Sequence, residues 1–197
     1  MRVVAGRWRG RTLRAPRGFA VRPTTDRVRE SIFAILGERV VGAKVLDLFS
    51  GSGAMAIEAL SRGASGAVAV ESSPAAAVLK ANLASVGASS GACLSMDYRK
   101  ALRRLADRGE TFTLAFLDPP YGKGLIDEAA EALERSGVLT AGAVVVAESA
   151  ARDPKEKAPP AWVQESERRY GDTRVSFYEV RPGPGSPKES ETVKEDR

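Results

Sequence analysis

From residue 24 to residue 40 the apolar residues Val28, Ile32, Ile35, Leu36 and Val40 fall at offsets of 0, 4, 7, 8 and 12. That spacing keeps them on one stripe and predicts a helix, with Thr24, Thr25 and Asp26 as candidate caps. Beyond it the pattern alternates. Short apolar runs over 44–49, 67–71, 92–96, 113–117 and 143–147 read as buried strands. The stretches 54–62, 74–86, 98–107 and 125–136 between them read as helices, with Pro74 near one start and Gly63 and Gly87 just past two ends. Strand–helix alternation predicts an α/β fold, a mostly parallel sheet covered on both faces. The connections are short enough for right-handed crossovers. Two further runs, 162–170 and 173–180, meet at Gly171-Asp172 and read as a hairpin at the sheet edge. Upstream, 2–5 and 12–15 flank Gly6 and Gly10 as a small N-terminal β-hairpin.

In open parallel sheets ligands bind beyond the carboxyl ends of the strands, at the switch point of strand order. Asp47-Leu48-Phe49-Ser50-Gly51-Ser52-Gly53 closes the first sheet strand and opens a helix. Glycine lets a ligand approach the backbone, and the helix start offers N–H groups to a phosphate or a carboxylate. Such a loop is equally a plain strand-to-helix turn. Its meaning rises with Glu71, which ends the next strand about 20 residues on and is placed to accept from two ribose hydroxyls. Asp97 ends the third strand by the same logic and can accept from an adenine amino group. Two cofactors fit. NAD would use Gly51-x-Gly53-x-x-Ala56; S-adenosylmethionine would rest its methionine part on Ser50, Gly51 and Gly53, with Asp47 near its amino end. A carboxylate ahead of the loop repels a pyrophosphate and favours the second.

The fourth strand ends in Asp118-Pro119-Pro120-Tyr121. Two prolines remove two backbone donors and stiffen the turn, and Pro120 drives Pro119 to an extended conformation. The loop then offers a side-chain acceptor (Asp118), a carbonyl (Pro119) and an aromatic face (Tyr121). Those parts suit a planar ring bearing an amine. The lone pair of such an amine is delocalised and a poor nucleophile. Two acceptors aimed at its hydrogens turn the lone pair toward a methyl donor, and Asp118 stabilises the positive charge that develops on nitrogen. Holding nitrogen, methyl carbon and sulfur in line supplies further acceleration.

Composition agrees. None of the 197 residues is histidine, which excludes Ser-His-Asp triads, Cys-His pairs, imidazole shuttles and HExxH zinc sites. The single cysteine, Cys93, excludes an intramolecular disulfide and a Cys-rich zinc cluster, and on a buried strand it reads as core. No apolar run approaches the about 18 residues of a membrane span. No metal and no membrane partner are expected.

Charge is uneven. The formal total is +5, but residues 1–30 carry nine arginines against Asp26 and Glu30, and the rest of the chain is at −2. Arginine is the forked, planar donor that suits phosphates and stacks on bases. A basic arm on a near-neutral body predicts contact with nucleic acid. A transit peptide would also be rich in arginine, but Trp8, the glycines at 6 and 10 and Arg22-Pro23 depart from the Ser-rich helix of such signals. The expected organisation is a basic arm (1–22), an α/β domain (23–180) and a tail (181–197). The tail has three prolines, two glycines and four charges of each sign, and is expected to be disordered.

Asp118-Pro-Pro-Tyr resembles the Asp/Asn-Pro-Pro-aromatic motif of amino-methyltransferases. Arg22-Pro-Thr-Thr-Asp-Arg-Val-Arg-Glu30, Asp47-Leu-Phe-Ser-Gly-Ser-Gly-Ala54 and Glu58-Ala-Leu-Ser-Arg-Gly63 resemble the bacterial RsmD family, as does the basic stretch Gly6-Arg-Trp-Arg-Gly-Arg11. The resemblance spans residues 2–180. It implies the class I S-adenosylmethionine-dependent methyltransferase fold, Rossmann-like, with seven strands of which the last is antiparallel. It implies methylation of N2 of a guanine in 16S ribosomal RNA, with the small ribosomal subunit or its precursor as partner, in the cytoplasm, by a monomer. Glu71 would take the ribose, Asp97 the adenine and Asp118 to Tyr121 the guanine. Arg7, Arg9, Arg11, Arg22 and Arg27 would grip RNA. Ala56, Ser72-Ser73 and Tyr98 depart from the family's usual residues. Adenine N6 or a glutamine amide suits the same loop chemistry. A non-catalytic RNA-binding assembly factor and an NAD-dependent oxidoreductase are the readings outside the methyltransferases.

Overall fold

A computed structural model of the chain describes residues 1–16, 25–120 and 124–182. Helix α1 (Asp26–Leu36) starts at Thr25, whose hydroxyl accepts from the Val28 amide at 3.3 Å. The helix expected to run to residue 40 stops at Leu36 and tightens into a 3₁₀ turn over Gly37–Val40. The apolar stripe continues through that turn, so Val40 is still buried. The remaining helices are α2 (Ala54–Ser61), α3 (Ala75–Val86), α4 (Tyr98–Asp107) and α5 (Leu125–Ser136).

Among the described residues seven strands build one sheet: β1 (Lys44–Asp47), β2 (Gly66–Val70), β3 (Gly91–Leu94), β4 (Phe112–Leu117), β5 (Leu139–Ala150), β6 (Trp162–Tyr170) and β7 (Thr173–Val180). Their order is β3-β2-β1-β4-β5-β7-β6. The first five are parallel, and β7 runs antiparallel between β5 and β6. This is the class I methyltransferase sheet, with the edge hairpin in its expected place. The chain goes from β1 outward to β3 and then crosses to β4. The loops after β1 and β4 therefore meet at the switch point.

Alternate residues of each strand feed two cores. One holds Val45, Phe116 and Val146 with α1, α2, α3 and the N-terminal hairpin. The other holds Leu46, Leu117 and Ala147 with α4 and α5. Strand β5 is more than twice the expected length because it is paired along both sides, as far as Ala150 opposite Thr173. An irregularity in its pairing with β4, between Phe112 and Leu114, hides its start from a simple apolar count.

The N-terminal hairpin is short, pairing Arg2 with Thr12, with the Val3 and Arg11 and the Leu13 and Met1 backbones bonded at 2.9 and 3.1 Å. Its strength comes from the body of the protein. Val3 and Leu13 enter the first core. The Val4 and Ala5 amides donate to the Glu58 carboxylate at 2.7 and 3.0 Å. A Cβ on Gly6 would stand 1.9 Å from the Ser61 carbonyl oxygen, so only glycine lets the hairpin lie this close to α2.

Candidate active site

Strand β1 delivers Asp47 to the switch point, where it is 3% exposed. The Ser50 hydroxyl donates to its Oδ2 at 2.7 Å. Burial pushes its pKa up to about 6, against the opposing hydrogen bonds from Ser50 and from the Ala56 and Phe49 backbone; the charge of Glu71 raises it further. A buried acid so displaced favours a cation beside it.

The loop is held as a unit. The Ser50 amide donates to the Val70 carbonyl and the Gly53 amide to the Ser50 carbonyl, at 3.0 and 2.7 Å. A Cβ on Gly53 would come within 2.4 Å of Leu79 Cδ1, so glycine there allows α3 to pack against the loop. Glu71 sits half-buried just past β2. Its Oε2 accepts from the Gly51 amide and its Oε1 from the Ser73 amide, both at 2.8 Å. The carboxylate is thus tied to the glycine loop, not a solvated strand end. Asp47, Ser50, Gly51, Gly53 and Glu71 are brought together as expected.

Asp97 differs from expectation. Strand β3 ends at Leu94, and Asp97 is the N-cap of α4, its Oδ1 accepting from the Arg99 amide at 3.0 Å. Its position beside the site is therefore set by a helix start. Next to it Tyr98 is buried, its ring 5.1 Å from that of Phe49 in the glycine loop. Among the described residues its hydroxyl has no hydrogen-bond partner.

Asp118, Pro119 and Pro120 follow β4, next to β1. The Leu48 amide donates to the Phe116 carbonyl at 3.2 Å, tying the start of the glycine loop to the end of β4. Pro119 is buried and Pro120 exposed. Tyr121 lies outside the described residues.

Arg7, Arg9 and Arg11 are exposed on the hairpin and Arg27 on α1. The Arg7 guanidinium lies 4.0 Å from the centre of the Trp8 ring. Arg22 lies outside the described residues, as does the tail from residue 183. Arg29 departs from the reading of the segment as a uniform basic arm. It is fully buried, donating to Asp26 Oδ1 at 2.9 Å and lying 3.6 Å from Glu58. A charge inside a core needs such partners.

Glu58 and Asn82 are not legible in the sequence as functional supports. Asn82 on α3 accepts from the Arg14 amide at 2.9 Å and donates to the Ser52 carbonyl at 2.8 Å. It joins the hairpin to the glycine loop. The sequence also passes over α4 as a basic surface: Lys100, Arg103, Arg104 and Arg108 line an open cleft on its outer side. Among the described residues no cluster of acids or Cys93 could hold a metal, and no helix is long and apolar enough to cross a membrane.

Comparison with known proteins agrees with this geometry. Residues 1–179 match the family described as Conserved hypothetical protein 95. Ribosomal RNA small subunit methyltransferase D of Escherichia coli (strain K12) is 37% identical over 180 residues, covering 91% of this chain and 89% of the relative. The protein of the same name from Haemophilus influenzae is 31% identical, covering 91% and 93%. The solved structure of yhhF from Escherichia coli superposes with a TM-score of 0.82 at 36% identity, covering 92% of this chain and 98% of that one.

Proposed function

The chain belongs to the RsmD family, and from that premise we propose that it transfers a methyl group from S-adenosylmethionine to N2 of a guanine in 16S ribosomal RNA. The observation that carries the cofactor is the pair of acids at the glycine loop. Asp47 is buried with its pKa pushed up to about 6, and Glu71 adds negative charge nearby. A ligand with an ammonium and a sulfonium relieves that cost, whereas a pyrophosphate adds to it.

S-adenosylmethionine supplies an electrophilic methyl carbon held on positive sulfur. Asp47 and the Ser50–Gly53 loop would hold its methionine end, Glu71 its ribose, and Asp97 with the Tyr98 side its adenine. Asp118 and the Pro119 carbonyl accept the amine's hydrogens and orient its lone pair. As the nitrogen–carbon bond forms and the carbon–sulfur bond breaks, Asp118 faces the growing positive charge on nitrogen. The proton leaves by way of Asp118 to water. The body thus needs neither histidine nor metal. The exposed arginines of the hairpin bind the RNA phosphates, with the small subunit or its precursor as substrate, in the cytoplasm, by a monomeric enzyme.

Thermal melting with S-adenosylmethionine and with NAD separates the cofactors, because a ligand of the native state stabilises by mass action. The midpoint should rise with the first and not with the second. A rise with NAD alone would overturn the assignment. Label carried from the cofactor should then appear in 16S RNA of unmethylated small subunits, and label in protein instead would overturn the substrate.

Two further outcomes follow from the charges. The cofactor binds the ionised form of Asp47. Its affinity should therefore be full at pH 7 and fall as pH drops below about 6, by up to tenfold per unit. Asp47→Asn should weaken binding at pH 7 and flatten this profile in calorimetric titrations. A profile unchanged by the substitution would remove Asp47 from the site. Replacing Arg7, Arg9 and Arg11 by glutamine should weaken RNA binding and reduce the slope of log K against log salt by about 2, at roughly 0.7–0.9 for each phosphate no longer neutralised. An unchanged slope would show that the hairpin does not touch phosphate.

A further inference from the structure

Strands β4 and β5 pair in parallel, with Phe116 opposite Val146 and Leu117 opposite Ala147. Phe116 and Val146 belong to one core, Leu117 and Ala147 to the other. Side chains alternate along a strand. Continued one residue past its last pair, that register sets Asp118, just past β4, beside Glu148, which lies within β5, on the Phe116 and Val146 face. Adjacent strands lie only about 4.8 Å apart. Glu148 is 6% exposed, and its partner in register on β7 is Val175, fully buried. Glu148 and Ser149 also line a cleft of about 330 Å³ together with Pro119 and Pro120, and the less buried Asp127, Asp153 and Lys155 border it too. That volume falls in the range of small-molecule clefts, about 300–1,000 Å³. The two prolines of the methyl-accepting loop and the buried Glu148 thus border one cavity.

Resting on the guanine reading above, we propose that Glu148 is the specificity-determining residue that accepts the N1–H of the target guanine while Asp118 holds the N2 amine. Guanine presents N1–H and N2–H₂ next to each other, so its edge offers donors to both acids. Adenine presents its N6 amine beside the N1 lone pair. A carboxylate at Glu148 would face that lone pair and reject adenine. The same geometry rejects 2-aminopurine, which keeps the exocyclic amine at C2 but has a bare N1. A site built to hydrogen-bond a donor discriminates strongly against the analogue that lacks it, because the carboxylate then faces a lone pair in place of an N–H. Glu148 makes no bond to the transferred methyl. Its effect is to choose the base and to fix the ring against Asp118.

The test uses the full chain and small subunits reconstituted with 16S RNA carrying either guanine or 2-aminopurine at the methylated position. Wild-type protein should methylate guanine about 10–100-fold faster than 2-aminopurine, the discrimination expected of a well-placed pair of hydrogen bonds. Glu148→Gln brings an amide that can donate to a bare N1. It should lose guanine activity, gain on 2-aminopurine, and narrow the ratio at least about tenfold. The affinity for the two reconstituted subunits, measured without cofactor, should shift in the same direction. Its S-adenosylmethionine affinity should match wild type. Equal use of the two bases by wild-type protein would overturn the proposal without any variant, so it stays testable should Glu148→Gln fail to fold. A variant that loses both substrates in proportion would show Glu148 to be structural only, leaving the guanine-N2 assignment intact. Absence of methylation on guanine by wild-type protein would instead overturn that assignment and the present inference with it.

Discussion

Alanine at Asp118 lowers methyl transfer by about 10²–10³-fold while cofactor affinity stays within a few fold. Asp118 stands past β4, one strand over from the glycine loop that closes β1. It belongs to the base side of the site, and the cofactor side keeps Asp47, Ser50 and Glu71 without it. Its charge matters most when the amine nitrogen becomes positive, so its loss falls on the chemical step. Removing one preorganised group that stabilises developing charge costs about 10²–10³ in rate in comparable sites. Single-turnover rates with saturating RNA and cofactor isolate that step. If the variant loses cofactor affinity as much as rate, Asp118 supports the cofactor and the assigned role is wrong.

The largest expected effect on stability is at Glu58. It lies fully buried on α2 and anchors the first half of the hairpin. Two hairpin amides donate to it, Arg62 Nε donates to it at 2.8 Å, and the buried Arg29 lies 3.6 Å away. Glu58→Ala leaves the Arg29 charge in the core with only Asp26 as an acid partner among the described residues. Breaking a buried pair from one side costs about 3–5 kcal/mol. That is a large share of a domain's total stability of about 5–15 kcal/mol. Denaturant titration should show the loss, with Glu58→Gln intermediate because it keeps an acceptor for the hairpin amides. A change below about 1 kcal/mol for the alanine variant would mean that the hairpin is held by its apolar packing alone. Glu58 fixes the basic hairpin against α2, so RNA affinity should fall in the same variant.

The strand ends are readable because an apolar run that stops at an acid or a glycine marks its own boundary. Asp47, Glu71 and Asp118 each stand at or just past such a stop, and periodicity alone puts them at one edge of the sheet. Asp97 belongs to the element after the one its spacing suggests, since a helix cap and a strand end look alike in a sequence. Glu58 cannot be found this way. It sits in a helix of mostly apolar residues, and its partners Val4 and Ala5 lie more than fifty residues away, linked through backbone groups that carry no side-chain signal. Arg29 is invisible for the same reason: its burial depends on Glu58. Glu148 hides just past an apolar run that ends one residue before it. Pairing with β4 ends at Ala147, and pairing with β7 carries the strand on to Ala150.

Methyl transfer to the exocyclic amine of a guanine in ribosomal RNA leaves a product that identifies both the base and the atom. The most direct measurement digests 16S RNA from unmethylated small subunits after incubation with the protein and S-adenosylmethionine, and identifies the modified nucleoside by mass spectrometry. N2-methylguanosine is the expected product, absent when Asp118→Ala replaces the wild type. N6-methyladenosine, or cofactor bound tightly with no methyl group in the RNA, would contradict it.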